Sequence, residues 1–394
     1  MTERRLVLLI GAVQFINVLD FMMVMPLGPD FAQALGIPSS RLGIIGGSYT
    51  AAACVAGVAG AFFLDRFDRR KALAFALAGL ALGTIAGALA TGMWSLVLAR
   101  VIAGAFGGPA TAISLAIISD AIPPERRGRA MGAVMGAFSV ASVLGVPAGL
   151  ELASWGGWRA PFVVVGLLGA VITALAIRLL PPQRAHLGRA EVPTPFREVL
   201  RRPIVLFSLT ATTVAVIANF SMIPNLSAYF QFNRGYPREE LGLLYLVGGI
   251  VSFGTLRLAG WLTDRHGAPA VATFGSAWFI VVLFVGFIAP IEALPVLVVF
   301  VTFMISGSFR FVPLQALSSR VPSPPERARF MSAQSAVQHL AQSVGAMIGA
   351  AVLTEQPDHT LLGIDELAWF AVAMSVVLPP LLYVVDAMVS RRRG

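Results

Sequence analysis

The chain has 394 residues, of which 57% are hydrophobic and only 12% are charged, whereas a soluble domain carries about 25% charged residues. Such a composition leaves too little polar surface for a water-soluble globule. A formal net charge of +9 is common in nucleic-acid-binding proteins, but here the basic residues cluster between apolar runs and are better explained by membrane topology.

Twelve apolar runs are each long enough to cross a bilayer, since about 20 residues in a helix span about 30 Å of hydrocarbon. None alternates between polar and apolar residues as membrane-spanning strands do. The sequence therefore predicts an all-α, polytopic membrane protein. The predicted transmembrane helices are 6–27, 42–64, 72–92, 95–118, 130–152, 160–180, 203–230, 241–263, 269–289, 294–318, 330–353 and 367–388.

Basic residues are distributed unequally between the two sides of the predicted membrane. If the N-terminus is cytoplasmic, only Arg41, Arg159, Arg234 and Arg238 lie in outer loops. The positive-inside rule then places both termini in the cytoplasm, which suits an even number of spans and a bacterial inner membrane. The first apolar run lacks a small-residue cleavage site and is predicted to be an uncleaved first helix.

Two short segments recur at an offset of roughly 200 residues, as expected for transporters built from parallel repeats. Residues 65–68 resemble 264–267, and residues 123–126 resemble 324–327. Each pair occupies corresponding loops on either side of a polar stretch. We therefore expect two pseudo-symmetric six-helix bundles joined by a cytoplasmic linker, with bounds 1–180, 181–202 and 203–394.

Several motifs support a family resemblance. They are the loop sequence Gly260–Gly267, the fourth-helix sequence Arg100–Gly104, the fifth-helix sequence Gly145–Gly149, and Asp20 followed by Met25 and Pro26. Together they resemble the major facilitator superfamily, in particular its drug:proton antiporter branch with bacterial multidrug and sugar-efflux-like members. Ala61 and Asp68 depart from the family, which usually has glycines there. The resemblance implies alternating access between two bundles and proton-coupled export of a small molecule.

Asp20 and Arg100 are the strongest candidates for proton coupling. A charge inside a bilayer costs about 2.5–3.5 kcal/mol on insertion scales, so it needs a partner or a function. Counting 1.5 Å per residue from opposite membrane faces, the two residues have similar depth. In the resembling family both helices line the central cavity. We expect an ion pair that gains and loses a proton; a permanent structural pair is the alternative.

Polar stripes on two spans indicate surfaces that face protein or a wet cavity. Gln14, Asn17 and Asp20 share one face of the first helix, and a second stripe on the eleventh helix surrounds His339. His339 is expected either to relay protons or to be a neutral residue bonded to a neighbouring helix. Met22 is expected to line a tolerant pocket or simply to pack. The predicted substrate-cavity residues are Gln14, Asn17, Met22, Asn219, Asn225, Arg310, Gln315, Gln334, Gln338 and Gln342.

Three further features concern the seventh, eighth and tenth helices. Pro224 predicts a break in helix seven. Arg310 is expected to contact an anionic substrate group or helix carbonyls. Arg257 is expected to snorkel or to gate.

Loops and glycines complete the expected machinery. By the resemblance, Asp65 meets the start of helix eleven and Arg69 pairs with Asp120, while Ala268 weakens the second-half latch. The predicted cytoplasmic gate comprises Asp65, Arg66, Arg69, Asp120, Asp264 and Arg265. Gly104, Gly145, Pro147 and Gly149 are predicted to permit close helix packing and a bend. Glu151 is a second proton-site candidate, with an exposed interfacial carboxylate as its alternative.

The preferred interpretation is a monomeric proton-coupled exporter whose partners are a small amphipathic molecule, protons and the lipid bilayer, without a cofactor or metal. The alternatives are proton-coupled transport of a small organic anion or sugar in either direction, and a channel or non-transporting sensor. A membrane enzyme is disfavoured, because the sequence has no metal cluster, nucleophile elbow or phosphate loop.

Overall fold

The computed structural model describes residues 2–63, 66–183, 198, 200–323 and 327–391. Apart from a small hairpin of β1 (Thr354–Glu355) and β2 (Leu361–Leu362), the regular structure in these ranges is helical. The α-helices are α1 (Glu3–Met23), α2 (Gly28–Leu35), α3 (Leu42–Phe63), α4 (Arg69–Ala88), α5 (Met93–Ala121), α6 (Pro124–Met135), α7 (Ala137–Val140), α8 (Val146–Gly156), α9 (Arg159–Leu179), α10 (Pro203–Met222), α11 (Leu226–Ala228), α12 (Leu241–His266), α13 (Ala268–Leu283), α14 (Val296–Ser318), α15 (Arg327–Val352) and α16 (Ile364–Arg391).

The prediction of an all-α membrane protein is confirmed, and each of the twelve predicted spans overlaps a helix. Eleven helical stretches of the described residues are long and apolar enough to cross a membrane. The remaining predicted span is α15, whose polar stripe lowers its mean hydropathy. At 26 residues it is still long enough to cross about 30 Å of hydrocarbon.

The first span ends earlier than predicted, at Met23 instead of residue 27. Pro26 has no N–H to donate and disfavours a helical conformation in the residue before it, which explains the early end. The predicted break in helix seven is confirmed. There α10 stops at Met222 and is followed by a 3-10 turn, Ile223–Asn225, that contains Pro224.

Within the described ranges, three π-helical segments interrupt the spans, at Ala141–Gly145, Tyr229–Asn233 and Phe284–Ile288. The first lies inside predicted helix five, directly before Pro147, where a bend was expected. π-Bulges are a recognised cause of helix bending and are frequent at functional sites.

The chain divides into two compact units. Unit 1 comprises Met1–Pro38 and Ile44–Glu191, and unit 2 comprises Ser39–Gly43 and Val192–Gly394. Each unit carries the main part of six predicted spans. The bundle limits of 1–180 and 203–394 stay a prediction.

Each unit has its own apolar core. In unit 1 this core joins α1, α4, α5 and α9, with Ile10, Leu77 and Ile117 among its buried residues. In unit 2 it joins α10, α14, α15 and α16, with Phe330 and Leu378 near its centre. These cores hold the polar residues of each unit at defined positions.

Candidate functional site

Asp20 and Arg100 form a buried ion pair in unit 1. Nη1 of Arg100 is 2.9 Å from Oδ1 of Asp20, and Nη2 donates to the main-chain oxygen of Asp20 at 3.2 Å. The two side chains are 0% and 1% exposed. The second carboxylate oxygen, Oδ2, is buried and has no hydrogen-bond partner among the described residues. The pair predicted from helix depth is therefore present, and its role in coupling stays a prediction.

Two residues that sequence reasoning missed surround this pair. The Thr84 hydroxyl lies 2.7 Å from Oδ1 of Asp20 and 2.8 Å from the main-chain oxygen of Leu80. Its single proton can be donated to one of them at a time. The ring of Tyr49 lies beneath the Arg100 guanidinium, whose carbon is 4.6 Å from the ring centroid, a distance at which a cation attracts an aromatic face.

Asn17 belongs to the same network instead of presenting a free amide. Its Nδ2 donates to the main-chain oxygen of Gly107 and to the Thr111 hydroxyl, and its Oδ1 accepts from the Tyr49 hydroxyl at 2.9 Å. These contacts occupy both ends of the amide. In this conformation Asn17 joins α1 to α3 and α5, and its place in the substrate cavity stays a prediction.

Glycines on α5 make room for Tyr49. A Cβ added at Gly104 would lie 2.1 Å from the main-chain oxygen of Tyr49, and one at Gly107 would lie 2.3 Å from its hydroxyl. Real Cβ atoms do not approach that closely. The α3–α5 contact that seats Tyr49 under Arg100 therefore requires glycine at both positions.

The π segment of helix five packs against the helix that carries Asp20. A Cβ at Gly145 would lie 2.7 Å from a methyl carbon of Leu19, and one at Gly149 would lie 3.8 Å from Cβ of Met23. Pro147 is the second residue of α8, shortly after the π segment ends, and it has no N–H to donate to the preceding turn. Of the four predicted packing residues, Gly104 and Gly145 make the tightest approaches.

Arg310 is the buried cation of unit 2, and it is only 1% exposed. Its Nη1 donates to Oδ1 of Asn219 at 2.9 Å, and its guanidinium carbon lies 4.3 Å from the ring centroid of Phe279. Its Nε and Nη2 are buried without a hydrogen-bond partner in the described part of the chain. The predicted contact to helix carbonyls is not among its hydrogen bonds to described residues.

The polar stripe of α15 is held by neighbouring amides. Nε2 of Gln334 donates to Oε1 of Gln315 at 2.9 Å, which ties α15 to α14. Nδ1 of His339 lies 3.3 Å from Oε1 of Gln342 on the same helix. His339 and Gln338 are half-buried, whereas Gln334 and Gln342 are buried.

The other predicted cavity residues differ in their surroundings. Gln14 is buried, and its Oε1 has no partner among the described residues. Met22 is half-buried. Asn225 is buried in the break of helix seven, where its Nδ2 donates to the main-chain oxygen of Ser221 at 3.4 Å. Arg257, by contrast, is exposed and lies over the ring of Phe253.

The loop after α3 is bonded to the ends of other helices in unit 1. Arg69 contacts the Asp120 carboxylate and donates to the main-chain oxygen of Ala116 at 3.1 Å. The Asp68 carboxylate caps α4 by accepting from the N–H of Arg70, and it also accepts from the N–H of Gln183. Asp68, which departs from the family pattern, is thus a capping residue here.

Other members of the predicted gate are exposed or lie outside the described residues. Asp65 lies outside the described residues. Arg66, Asp264 and Arg265 are exposed, and Arg265 lies over the Trp261 ring with 5.4 Å between its guanidinium carbon and the centroid. Glu151 is exposed as well, in agreement with the alternative considered for it.

Comparisons with known proteins agree with this architecture. A family model described as Major Facilitator Superfamily matches residues 10–346. A chloramphenicol resistance protein of Streptomyces lividans is 27% identical over 384 residues, which cover 95% of each chain. The inner membrane transport protein YdhP of Escherichia coli K12 is 26% identical over 334 residues, or 84% of each chain.

Solved structures share the fold at lower sequence identity. A bacterial homolog of the human lysosomal transporter Spinster matches with a TM-score of 0.75 and 17% identity, over 98% of this chain and 97% of that one. A D-xylose-proton symporter matches with a TM-score of 0.73 and 16% identity, over 96% of each. At such identities these structures establish the architecture and leave the substrate open.

Proposed function

Because the chain belongs to the major facilitator superfamily, we propose that it exports a small amphipathic molecule in exchange for protons by alternating access. Membership makes it a multi-pass membrane transporter of small molecules, not an enzyme. We further propose that it works as a monomer in a bacterial inner membrane, with both termini in the cytoplasm. The chloramphenicol resistance protein among its relatives supports an antibiotic-like cargo.

The observation that carries the proposal is the fully buried pair of Asp20 and Arg100. A carboxylate and a guanidinium removed from water in mid-membrane are costly unless they serve a function. An opposite charge favours the ionised acid, whereas a dry apolar environment favours the neutral acid. A transport cycle that alters access of water or substrate to the pair would therefore alter its affinity for a proton.

The hydrogen bonds around Asp20 suit a residue that changes protonation. When the carboxylate is ionised, the Thr84 hydroxyl donates to Oδ1. When Oδ1 of Asp20 carries a proton, that O–H can donate a hydrogen bond to the Thr84 oxygen. The Thr84 hydroxyl then donates to the main-chain oxygen of Leu80 instead. Meanwhile Arg100 keeps its bond to the main-chain oxygen of Asp20. In both protonation states Oδ1 of Asp20 thus keeps the Thr84 hydroxyl as a hydrogen-bond partner.

The test compares Asp20→Asn with Glu151→Gln, a control that neutralises an exposed carboxylate in the same unit. Asparagine keeps the acceptor oxygen near Arg100 but carries no titrating proton. In everted vesicles under an imposed pH gradient, addition of chloramphenicol or another amphipathic antibiotic should dissipate the gradient in wild-type and Glu151→Gln protein. Asp20→Asn should leave the gradient unchanged while still allowing downhill exchange.

Uphill transport by Asp20→Asn under a pH gradient would contradict the proposal. Resistance of a sensitive host gives an independent readout. Wild-type protein should raise the inhibitory concentration of the transported antibiotic, and Asp20→Asn should reduce that protection at least tenfold.

A further inference from the structure

Unit 2 buries a positive charge without neutralising it. Arg310 is only 1% exposed in a membrane-spanning helix, and no carboxylate of the described residues lies within 4 Å of its nitrogens. Its contacts are the neutral Asn219 amide and the face of the Phe279 ring. Neither contact balances a full charge.

A buried ion of this kind is unfavourable, because desolvation costs several kcal/mol, on the order of the whole stability of a domain, unless a counter-charge is present. In unit 1 the same problem is solved within the chain, since Asp20 lies against Arg100. Among the described residues of unit 2, no carboxylate balances the charge of Arg310 in this way. A ligand that brings a negative group would supply that counter-charge.

The orientation of Arg310 indicates which negative group fits. Its Nη1 is held by Asn219, whereas Nε and Nη2 are unpartnered among the described residues. In a planar guanidinium the N–H of Nε and one N–H of Nη2 point in parallel along one edge. That edge matches the two oxygens of a carboxylate, which can accept both bonds at once.

Neighbouring residues fix the orientation of this edge. Asn219 fixes one nitrogen, and Phe279 covers a face of the guanidinium. On the preceding turn of α14, a Cβ added at Gly307 would meet no atom within 4 Å. The surface of α14 at Gly307, one turn before Arg310, is therefore not filled by side chains of the described residues.

We propose that the substrates include small organic monoanions, and that Arg310 binds the carboxylate of those transported molecules that carry one. Asn219 is then a positioning residue that presents the free edge of the guanidinium. This inference rests on the proposed function as a transporter, and it specifies the substrate class through a residue separate from the Asp20–Arg100 pair.

The test uses ligand pairs that differ only in charge. Purified protein is mixed with benzoate, phenylacetate or octanoate, each compared with its primary amide at the same concentration, and the Tm is recorded. A ligand that binds only the folded protein raises the Tm. For wild-type protein we expect at least one carboxylate to raise the Tm by about 2 °C or more, with no shift from its amide.

Variants test whether the preference for carboxylates over amides depends on Arg310. Arg310→Gln should abolish the carboxylate-dependent shift, and Arg310→Lys should retain the charge but weaken binding at least tenfold, because lysine lacks the paired donors. Arg257→Gln, which removes an exposed arginine of the same unit, should bind as wild type does. Equal shifts from acids and amides, no shift from any carboxylate, or an undiminished shift in Arg310→Gln would overturn the inference.

Asp20→Asn separates this inference from the proposed function. It should still show a Tm shift with a carboxylate and none with the matching amide, because the substitution leaves the free edge of the Arg310 guanidinium unchanged. If Asp20→Asn loses proton coupling while no carboxylate binds wild-type protein, the coupling proposal stands and the Arg310 inference fails. If carboxylates bind through Arg310 while Asp20→Asn still transports uphill, the Arg310 inference stands and the coupling proposal fails.

Discussion

Among the described residues, each unit of this transporter buries one arginine almost completely, but the two arginines have different partners. Arg100 has a carboxylate of its own chain, a hydroxyl beside that carboxylate and an aromatic ring. Arg310 has an amide and an aromatic ring. A charge neutralised within the protein is suited to exchanging protons, whereas a charge left unbalanced is suited to binding an anion.

The loops that follow the second helix of each half show a similar asymmetry. In unit 1, Arg69 contacts Asp120 and the end of α5. In unit 2, Ala268 occupies the corresponding position, and the nearby Arg265 is exposed over a tryptophan ring. Repeated sequence motifs therefore do not guarantee repeated contacts.

The sharpest test of the comparison is to remove each arginine in turn. Arg100→Gln should destabilise the protein by about 3–5 kcal/mol, because it leaves the Asp20 carboxylate buried without its counter-charge. Arg310→Gln should leave the ligand-free protein equally stable or more stable, because no buried carboxylate is left behind. Denaturation in detergent measures both. Adding Asp20→Asn to Arg100→Gln should restore most of the lost stability, and equal losses in the two single variants would break the comparison.

A second prediction concerns the hydroxyl that distinguishes the unit 1 site. Thr84→Val keeps the shape of the side chain but removes the donor to Oδ1 of Asp20. We expect a loss of about 1.5–3 kcal/mol, typical of a hydrogen bond to a charged group, and a shifted pH dependence of transport. Thr84→Ser should behave as wild type. An unchanged pH profile in Thr84→Val would remove Thr84 from the proton-exchange scheme.

Packing around the Asp20–Arg100 pair should also tolerate an added methyl group less well than packing at an open glycine of unit 2. Gly104→Ala places a methyl group against the main-chain oxygen of Tyr49 and should cost about 1–3 kcal/mol. Gly254→Ala, at a position of α12 where a Cβ meets nothing within 4 Å, should be neutral or stabilise by about 0.5–1 kcal/mol. Comparison of the two Tm values checks this, and similar values would argue against the tight α3–α5 contact.

The smallest effects are expected in the loops. Arg69→Ala removes the contacts to Asp120 and Ala116 and should cost about 1 kcal/mol, a modest value because the pair is partly exposed. Arg265→Ala, at the corresponding loop of unit 2, should stay within about 0.5 kcal/mol of wild type. Chemical denaturation distinguishes the two. A larger loss of stability in Arg265→Ala than in Arg69→Ala would contradict the proposed asymmetry.

Hydropathy alone determined that the chain is a helical membrane protein, because the thickness of a bilayer sets the length of an apolar run. Pro224 likewise predicted the break in helix seven, since proline removes a backbone donor wherever it stands in a helix. Counting residues along two spans predicted that Asp20 and Arg100 have similar depth, because helical rise converts position into depth. That they meet was predicted by adding the family resemblance, which implies that both helices line the central cavity.

Only the tertiary structure decided which other polar groups reach that pair. Thr84 and Tyr49 lie on α4 and α3, and nothing in their local sequence indicates which face of those helices meets α1 and α5. The one available signal was indirect, in the glycines of α5 that accommodate Tyr49. The tertiary structure also decided the partners of Asn17, whose amide is bonded at both ends to α3 and α5.

The different surroundings of Arg100 and Arg310 could not be predicted from sequence for the same reason. Hydropathy and helical rise describe one helix at a time, and they place both arginines within membrane spans. Whether a carboxylate stands opposite each guanidinium depends on the rotation and packing of neighbouring helices. Those are set by many weak contacts between residues far apart in the chain.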